Sequence, residues 1–300
     1  MDSIEVIMND LFNNDFIFKM QASESFGKTS IQNFNKSDYI FFGGTNALTS
    51  NMNKEKYIGF SLLNLISINR LSLLGVGWWQ YQNEPNFYTK IFLKRMLHSS
   101  LLHSVRDSYT QKMLQSIGIE NVLNTSCPST WELTKQHCDQ ISNSKSDSVV
   151  FTITDYNKKP EADSSFINRI QDEYKSTFFW PQGSGDLEYF SKLAIPYRNK
   201  INILKPNLES FNSLIKNKGV DYIGTRLHAG IRALQNKNRA LIIAIDNRAN
   251  EIANDINLDI SKRGNLEQIS SFINTCPPNS IKIPTTEIEK WKNQFKLNGQ

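Results

Sequence analysis

The stretch Val220-Asp221-Tyr222-Ile223-Gly224-Thr225-Arg226-Leu227-His228-Ala229-Gly230 sets a guanidinium and an imidazole two residues apart, where an apolar run gives way to a helical pattern. The first backbone N–H groups of a helix lack intrahelical acceptors and lie at the positive end of its dipole, so they favour an anion. Arg226 beside them can grip phosphate or carboxylate through two parallel hydrogen bonds. His228 can exchange a proton near neutral pH. Thr225 is the expected N-cap. The same spacing also fits a capped helix with a surface arginine and a packed histidine.

Other strand ends carry weaker signals. Ser104-Val105-Arg106-Asp107-Ser108 leads from a strand into a helix that runs toward Gly118, and Asp107 reads as its cap. Gly43-Gly44-Thr45-Asn46 follows an apolar run, and its glycines suit either a ligand or a tight turn. In Gly75-Val76-Gly77-Trp78-Trp79 the tryptophans read as a platform for a sugar or as core. Trp180-Pro181-Gln182-Gly183-Ser184-Gly185-Asp186 offers Gln182 and Asp186 to sugar hydroxyls, or is a polar turn. His98 and His137 sit in helical patterns and read as structural, whereas His103, close to Arg106, rivals His228 for proton transfer. No Asp-x-Asp or His/Cys cluster stands at a strand end, so no metal is expected.

These residues need elements to hold them. Short apolar runs followed by helical patterns predict alternating strand and helix in parallel sheets. In the first half the strands are Tyr39 to Phe42, Leu71 to Val76 and Leu101 to Val105. In the second half they are Val149 to Ile153, Thr177 to Trp180, Ile201 to Leu204, Val220 to Ile223 and Ala240 to Ile245. The polar segment Ser142 to Asp147 predicts a boundary, giving Rossmann-like domains at 1–146 and 147–285. Ile288, Trp291 and Phe295 share one face of a terminal helix within 286–300. Two doubly wound domains in series form a cleft at the carboxyl ends of their strands, the GT-B-like arrangement.

Composition narrows the class. With 300 residues, 39% hydrophobic and 21% charged, the chain is long enough for two globular cores. Lys and Arg number 34 against 29 acidic residues, with no dense basic run, which argues against nucleic acid and suits small anionic substrates. Three cysteines, Cys127, Cys138 and Cys276, without a C-x-x-C spacing point to a reducing compartment. Asp2 and Glu5 stand where a signal peptide has basic residues, and Asn64, Asn69 and Arg70 interrupt the apolar stretch from Ile58 to Trp79. A cytoplasmic protein without a membrane span is expected, free or peripheral at the inner face of the membrane.

Gly-x-Arg-Leu-His-Ala at a helix start, followed by the strand Ala240 to Ile245 and then Arg248, resembles the C-terminal motif of polysaccharide pyruvyl transferases. Val105-Arg106-Asp107, the Gly43-Gly44-Thr45-Asn46 turn, the strand end at Gly77 and the loop from Trp180 to Asp186 resemble further family elements. The likeness runs from about Tyr39 to about Ile260. It implies transfer of a pyruvyl group from phosphoenolpyruvate, as donor substrate and without a cofactor, to a free or lipid-linked sugar acceptor. His228 is the implied catalytic residue. Arg106, Arg226, Leu227, Arg248, Gly43, Gly44, Asn46, Gln182 and Asp186 are the implied binding residues. Arg248 stands where the family usually has Lys, and Cys127-Pro128 where many relatives have Asp-Pro. Met1-Asp2-Ser3-Ile4 resembles the middle of the family's N-terminal Gly-Asp loop, which implies either a shortened first sheet or residues missing upstream. The rival readings are a GT-B-type glycosyltransferase using a nucleotide sugar and a non-catalytic glycan-binding protein of polysaccharide assembly.

Overall fold

The apolar runs carry parallel strands in a computed structural model that describes residues 2–12, 15, 17–21, 27–55, 58–59, 70–216 and 219–296. In the first half these are β1 (Phe41–Gly43), β2 (Ser72–Leu74), β3 (His103–Val105) and β4 (Val122–Asn124). β1 pairs with β2 and β3 with β4, and a Val76–Val105 bridge links the two pairs. Side chains alternate across a strand, so Leu73 and Leu74 enter different cores. Leu73 joins Leu48, Trp78, Phe92, Leu93 and Leu114. Leu74 joins Ile7, Trp291 and Phe295, from helices Asp2–Leu11 and Thr285–Lys296.

The second half forms one sheet from β5 (Ser148–Thr152), β6 (Ser176–Phe179), β7 (Ile201–Ile203), β8 (Val220–Gly224), β9 (Ala240–Ala244) and β10 (Ile260–Lys262). Every pairing is parallel, in the order β7-β6-β5-β8-β9-β10. This is the doubly wound dinucleotide-fold order. Its direction reverses between β5 and β8, where such sheets bind ligands outside their carboxyl ends. A Cβ on Gly224 would lie 2.4 Å from Thr152 Oγ1 and 2.6 Å from Thr152 N, so only glycine lets the two strands run this close at the reversal.

The chain divides into Met1–Trp131 with Ile283–Gln300, and Glu132–Lys282. The boundary thus precedes the expected break after residue 146. The helix Lys135–Cys138 already belongs to the second unit, where His137 Nε2 lies 2.9 Å from the Leu234 carbonyl oxygen. The last helix is not a separate element but part of the first unit. Trp291 packs edge-on against Trp131, and Gln294 bonds both backbone groups of Leu102. β4 and β10, three residues each and partly polar, were not among the expected strands. Asn64 and Asn69 lie outside the described residues. No helix among the described residues is long and apolar enough to cross a membrane.

Candidate active site

At the end of β8 the backbone turns through a closed ring of hydrogen bonds. Arg226 N donates to Thr152 Oγ1 (3.2 Å), Thr152 Oγ1 and Tyr222 Oη are 2.6 Å apart, and Tyr222 Oη donates back to the Arg226 carbonyl (2.8 Å). Burial raises the Tyr222 pKa and keeps the phenol protonated for this role. Arg226 becomes the N-cap of helix Leu227–Gln235, which starts without a side-chain cap. Thr225, the expected cap, turns its hydroxyl toward the Thr152 carbonyl instead (3.4 Å). The first N–H groups of this helix are therefore without a side-chain cap.

The Arg226 side chain is 17% exposed, and its Nη2 lies 3.0 and 2.8 Å from the two oxygens of Asp186. Asp186 is fully buried and also accepts from the backbone N–H groups of Asp155 (2.9 Å), Gln182 (3.0 Å) and Gly183 (2.7 Å). Both oxygens of Asp186, the residue expected to meet a sugar hydroxyl, accept hydrogen bonds from the loop and from Arg226. Arg226 Nε is buried and has no protein partner, an unmet donor of the kind found where a ligand acceptor belongs. The Tyr156 ring lies 5.3 Å from the guanidinium, within cation–π range.

Around a recess of about 130 Å³ stand Tyr156, Gln182, Arg226, Leu227, His228 and Arg248. Leu227 is buried as an apolar wall, and His228 is exposed on the first helical turn. Arg248 comes from the next strand end. Asp246 caps helix Asn247–Ile256 through Arg248 N (3.0 Å) and also accepts from the Arg248 guanidinium (Nε, 2.9 Å). Burial works against the Arg248 charge, but the hydrogen bond and charge of Asp246 outweigh it and hold the pKa above its ordinary value. Sequence reasoning missed Tyr156. The signal was available, since Tyr156 follows β5, the strand beside β8 at the reversal. Among the described residues no three His, Cys, Asp or Glu side chains converge as a metal cage.

In the first unit the structure gives the expected ligand residues protein partners. Arg106 is 4% exposed, donates to Asn46 Oδ1 and, at 3.3 Å, to Asp107 Oδ2, and lies against Gly77, where a Cβ would collide with it. Asp107 caps helix Ser108–Gln115 through Thr110 N at 2.7 Å. Arg106 and Asn46, both expected to face a donor, are hydrogen-bonded to each other. Gly43 and Gly44 close on protein as well. Gly44 has a φ of +33°, a backbone conformation that favours glycine, and Ile4 packs against the turn. Trp78 is core, with its indole N–H on Gln82.

His103 is completely buried. Its Nδ1 accepts from Leu73 N (3.3 Å) and its Nε2 lies 2.9 Å from the His98 carbonyl oxygen, which fixes a neutral tautomer. Desolvation pulls its pKa down to about 4. His98 Nδ1 receives the N–H groups of Ser100 and Leu101 (3.1 and 3.0 Å). His103, His98 and His137 thus serve the structure, and His228 is the histidine at the recess.

The family model for polysaccharide pyruvyl transferases matches residues 5–247. The chain belongs to the polysaccharide pyruvyl transferase family. As a pyruvyl transferase it is an enzyme that moves a group between substrates. Comparison with curated proteins gives no match. Among solved structures it is similar to the S. aureus MnaA-UDP co-structure, with a TM-score of 0.55 at 14% identity over 99% of this chain and 86% of that one. It also aligns with the wall teichoic acid polymerase TagF, with a TM-score of 0.33 at 11% identity over 77% of this chain and 65% of that one. The MnaA likeness is one of fold: the pyruvyl transferase is an α/β protein built on parallel sheets.

Proposed function

We propose that the enzyme transfers the pyruvyl group of phosphoenolpyruvate to two hydroxyls of a sugar, forming a pyruvate ketal on a surface polysaccharide or its precursor. The carrying observation is the arrangement of Arg226, His228 and Arg248 around one recess, at a helix N-terminus that no side chain caps. Phosphoenolpyruvate has two anionic ends, and the recess offers two kinds of partner for them, guanidinium donors and helix N–H groups.

In the reaction the methylene carbon takes a proton and becomes a methyl group while positive charge develops at the carbon bearing the phosphate oxygen. One sugar hydroxyl attacks that carbon and gives up its proton. The second hydroxyl then attacks the same carbon, the C–O bond to phosphate breaks, and its proton leaves as phosphate departs. His228 supplies the first proton and recovers one from a hydroxyl. Arg226 and the helix N-terminus hold the phosphate and stabilise it as it leaves. Arg248 neutralises the carboxylate, and Gln182 offers its amide to the acceptor.

The test is phosphate release from phosphoenolpyruvate across a panel of hexose and N-acetylhexosamine acceptors, with the ketal identified by mass spectrometry. UDP, bound in the S. aureus MnaA structure, supplies the contrary arm. Sugar transfer from UDP-sugars with no phosphate release would assign the recess to a nucleotide donor.

A further inference from the structure

Helix Phe87–Met96 forms because Asn86 caps it, accepting from Thr89 N at 2.8 Å, and no glycine or proline interrupts it. Thr89, Phe92, Leu93 and Met96 are its buried residues. At about 100° per residue, Phe87, Lys90, Ile91, Lys94 and Arg95 fall together on the opposite side. Phe87 is 79% and Ile91 45% exposed. Phe87 and Ile91, one turn apart, therefore form an exposed apolar centre on this face of the helix.

The rim of that centre is cationic. Lys90 and Lys94 flank it on one side and Arg95 on the other, and the helix carries no acidic residue. Among the described residues Lys90 pairs with Glu84 at 3.8 Å, whose carboxylate side chain is 80% exposed. Asn86 also bonds Asn51 and Asn53, which brings their turn, with exposed Lys54, alongside the start of the helix. Aromatic and aliphatic side chains ringed by lysine and arginine match the two layers of a lipid interface: the apolar tips enter the acyl boundary while the cations meet anionic headgroups. The long stems of Lys90 and Lys94 let their ammonium groups reach upward as Phe87 and Ile91 descend.

We propose that this face of the first unit seats the protein on an anionic membrane surface. The inference stands on this helix and not on the chemistry of the recess, so it survives or fails independently of the donor. It gives a physical reason for an acceptor to be met at a bilayer.

The experiment is co-sedimentation of the full chain with vesicles of phosphatidylcholine containing about one third phosphatidylglycerol, and with phosphatidylcholine alone. Binding is expected to the anionic vesicles only, and to fall steeply as salt rises toward about 0.5 M. Each basic residue near such a surface contributes about fivefold, so K90Q/K94Q/R95Q should weaken binding at least tenfold. F87S/I91S should weaken it by a similar factor at low salt, where the charges remain. Circular dichroism and the unfolding midpoint of both exposed-site variants should match the parent. No binding to anionic vesicles, or binding that neither variant changes, overturns the proposal. A concentration-dependent dimer in analytical ultracentrifugation that F87S/I91S dissociates, without vesicle binding, also overturns it, by giving the face to a second copy.

Discussion

Arg106 and Arg226 stand at corresponding places in their units, just past a parallel strand and just ahead of a helix. Around Arg106 the next residue is an aspartate, which caps the helix and takes the guanidinium Nε. Around Arg226 the next residue is Leu227, and the carboxylate arrives instead from Asp186, buried beneath the loop on another element. The first arrangement closes the helix N-terminus and buries the cation. The second anchors one nitrogen of the fork and leaves Nε without a protein partner and the helix uncapped. The two strand–Arg–helix joints thus differ in whether an acidic side chain next to the arginine occupies the cap.

The largest expected effect separates the histidines of those two places. His228→Ala should lower turnover about 10²- to 10⁴-fold with a small change in donor affinity, as removal of a proton donor does. His103→Gln, which keeps an acceptor and a donor in the amide, should leave turnover within about threefold. Steady-state kinetics on folded variants decides it. A collapse with His103→Gln and none with His228→Ala would move the proton transfer out of the recess.

Next in size is the contrast between the arginines. Arg226→Lys keeps the charge but loses the fork, and the donor KM should rise about 10- to 100-fold. Arg106→Lys should leave donor KM within about twofold while costing about 1–3 kcal/mol of stability, because it breaks a buried bonded pair. Paired kinetics and denaturant unfolding read both. A large KM effect at Arg106 would show that its guanidinium leaves Asn46 and Asp107 to meet the donor.

A smaller effect appears in stability against pH. His103 has a folded pKa of about 4 against 6.5 in the unfolded chain. Between those values the unfolded chain binds the proton that the folded one refuses, so stability rises with pH through the window and is fully present above pH 6.5. The slope from this group approaches about 1.4 kcal/mol per pH unit. Denaturant unfolding from pH 4 to 7 should show it, and His103→Gln should flatten it. An equal slope in the variant would place the titration elsewhere.

Much of this contrast was legible in the sequence and some was not, for physical reasons. The apolar runs gave the parallel strands because buried strands in an α/β sheet are continuously hydrophobic. Arg226, Leu227 and His228 were readable because three successive residues at one strand end share a neighbourhood by covalent connection. Asp186 was readable as a loop residue but not as a buried one, since its burial comes from N–H groups of Asp155 and its own loop closing over it. The fate of Arg106 depends on Asn46, sixty positions away, and the Gly43-Gly44 turn on Ile4. Such contacts follow from tertiary packing, which local pattern does not encode. The boundary was misplaced because Ser142 to Asp147 is polar while still belonging to the second unit, and polarity marks exposure and not a change of core.

The smallest expected effect tests whether the recess uses one arginine fork or two. Arg248 already gives Nε to Asp246, so its function toward a ligand is charge more than geometry. A lysine there keeps the charge and one bond to Asp246, and Asp246 keeps its cap on the residue 248 backbone N–H, which no side chain alters. Arg248→Lys should therefore reduce kcat/KM by less than about threefold. Arg248→Met should cost about tenfold or more, because the Asp246 carboxylate would face the recess uncompensated and repel an anionic donor. Donor kcat/KM for the two variants, with the unfolding midpoint as a folding control, gives the comparison. If Lys and Met lose equally, the planar fork of Arg248 holds the donor as Arg226 is argued to do, and the charge-only role is wrong.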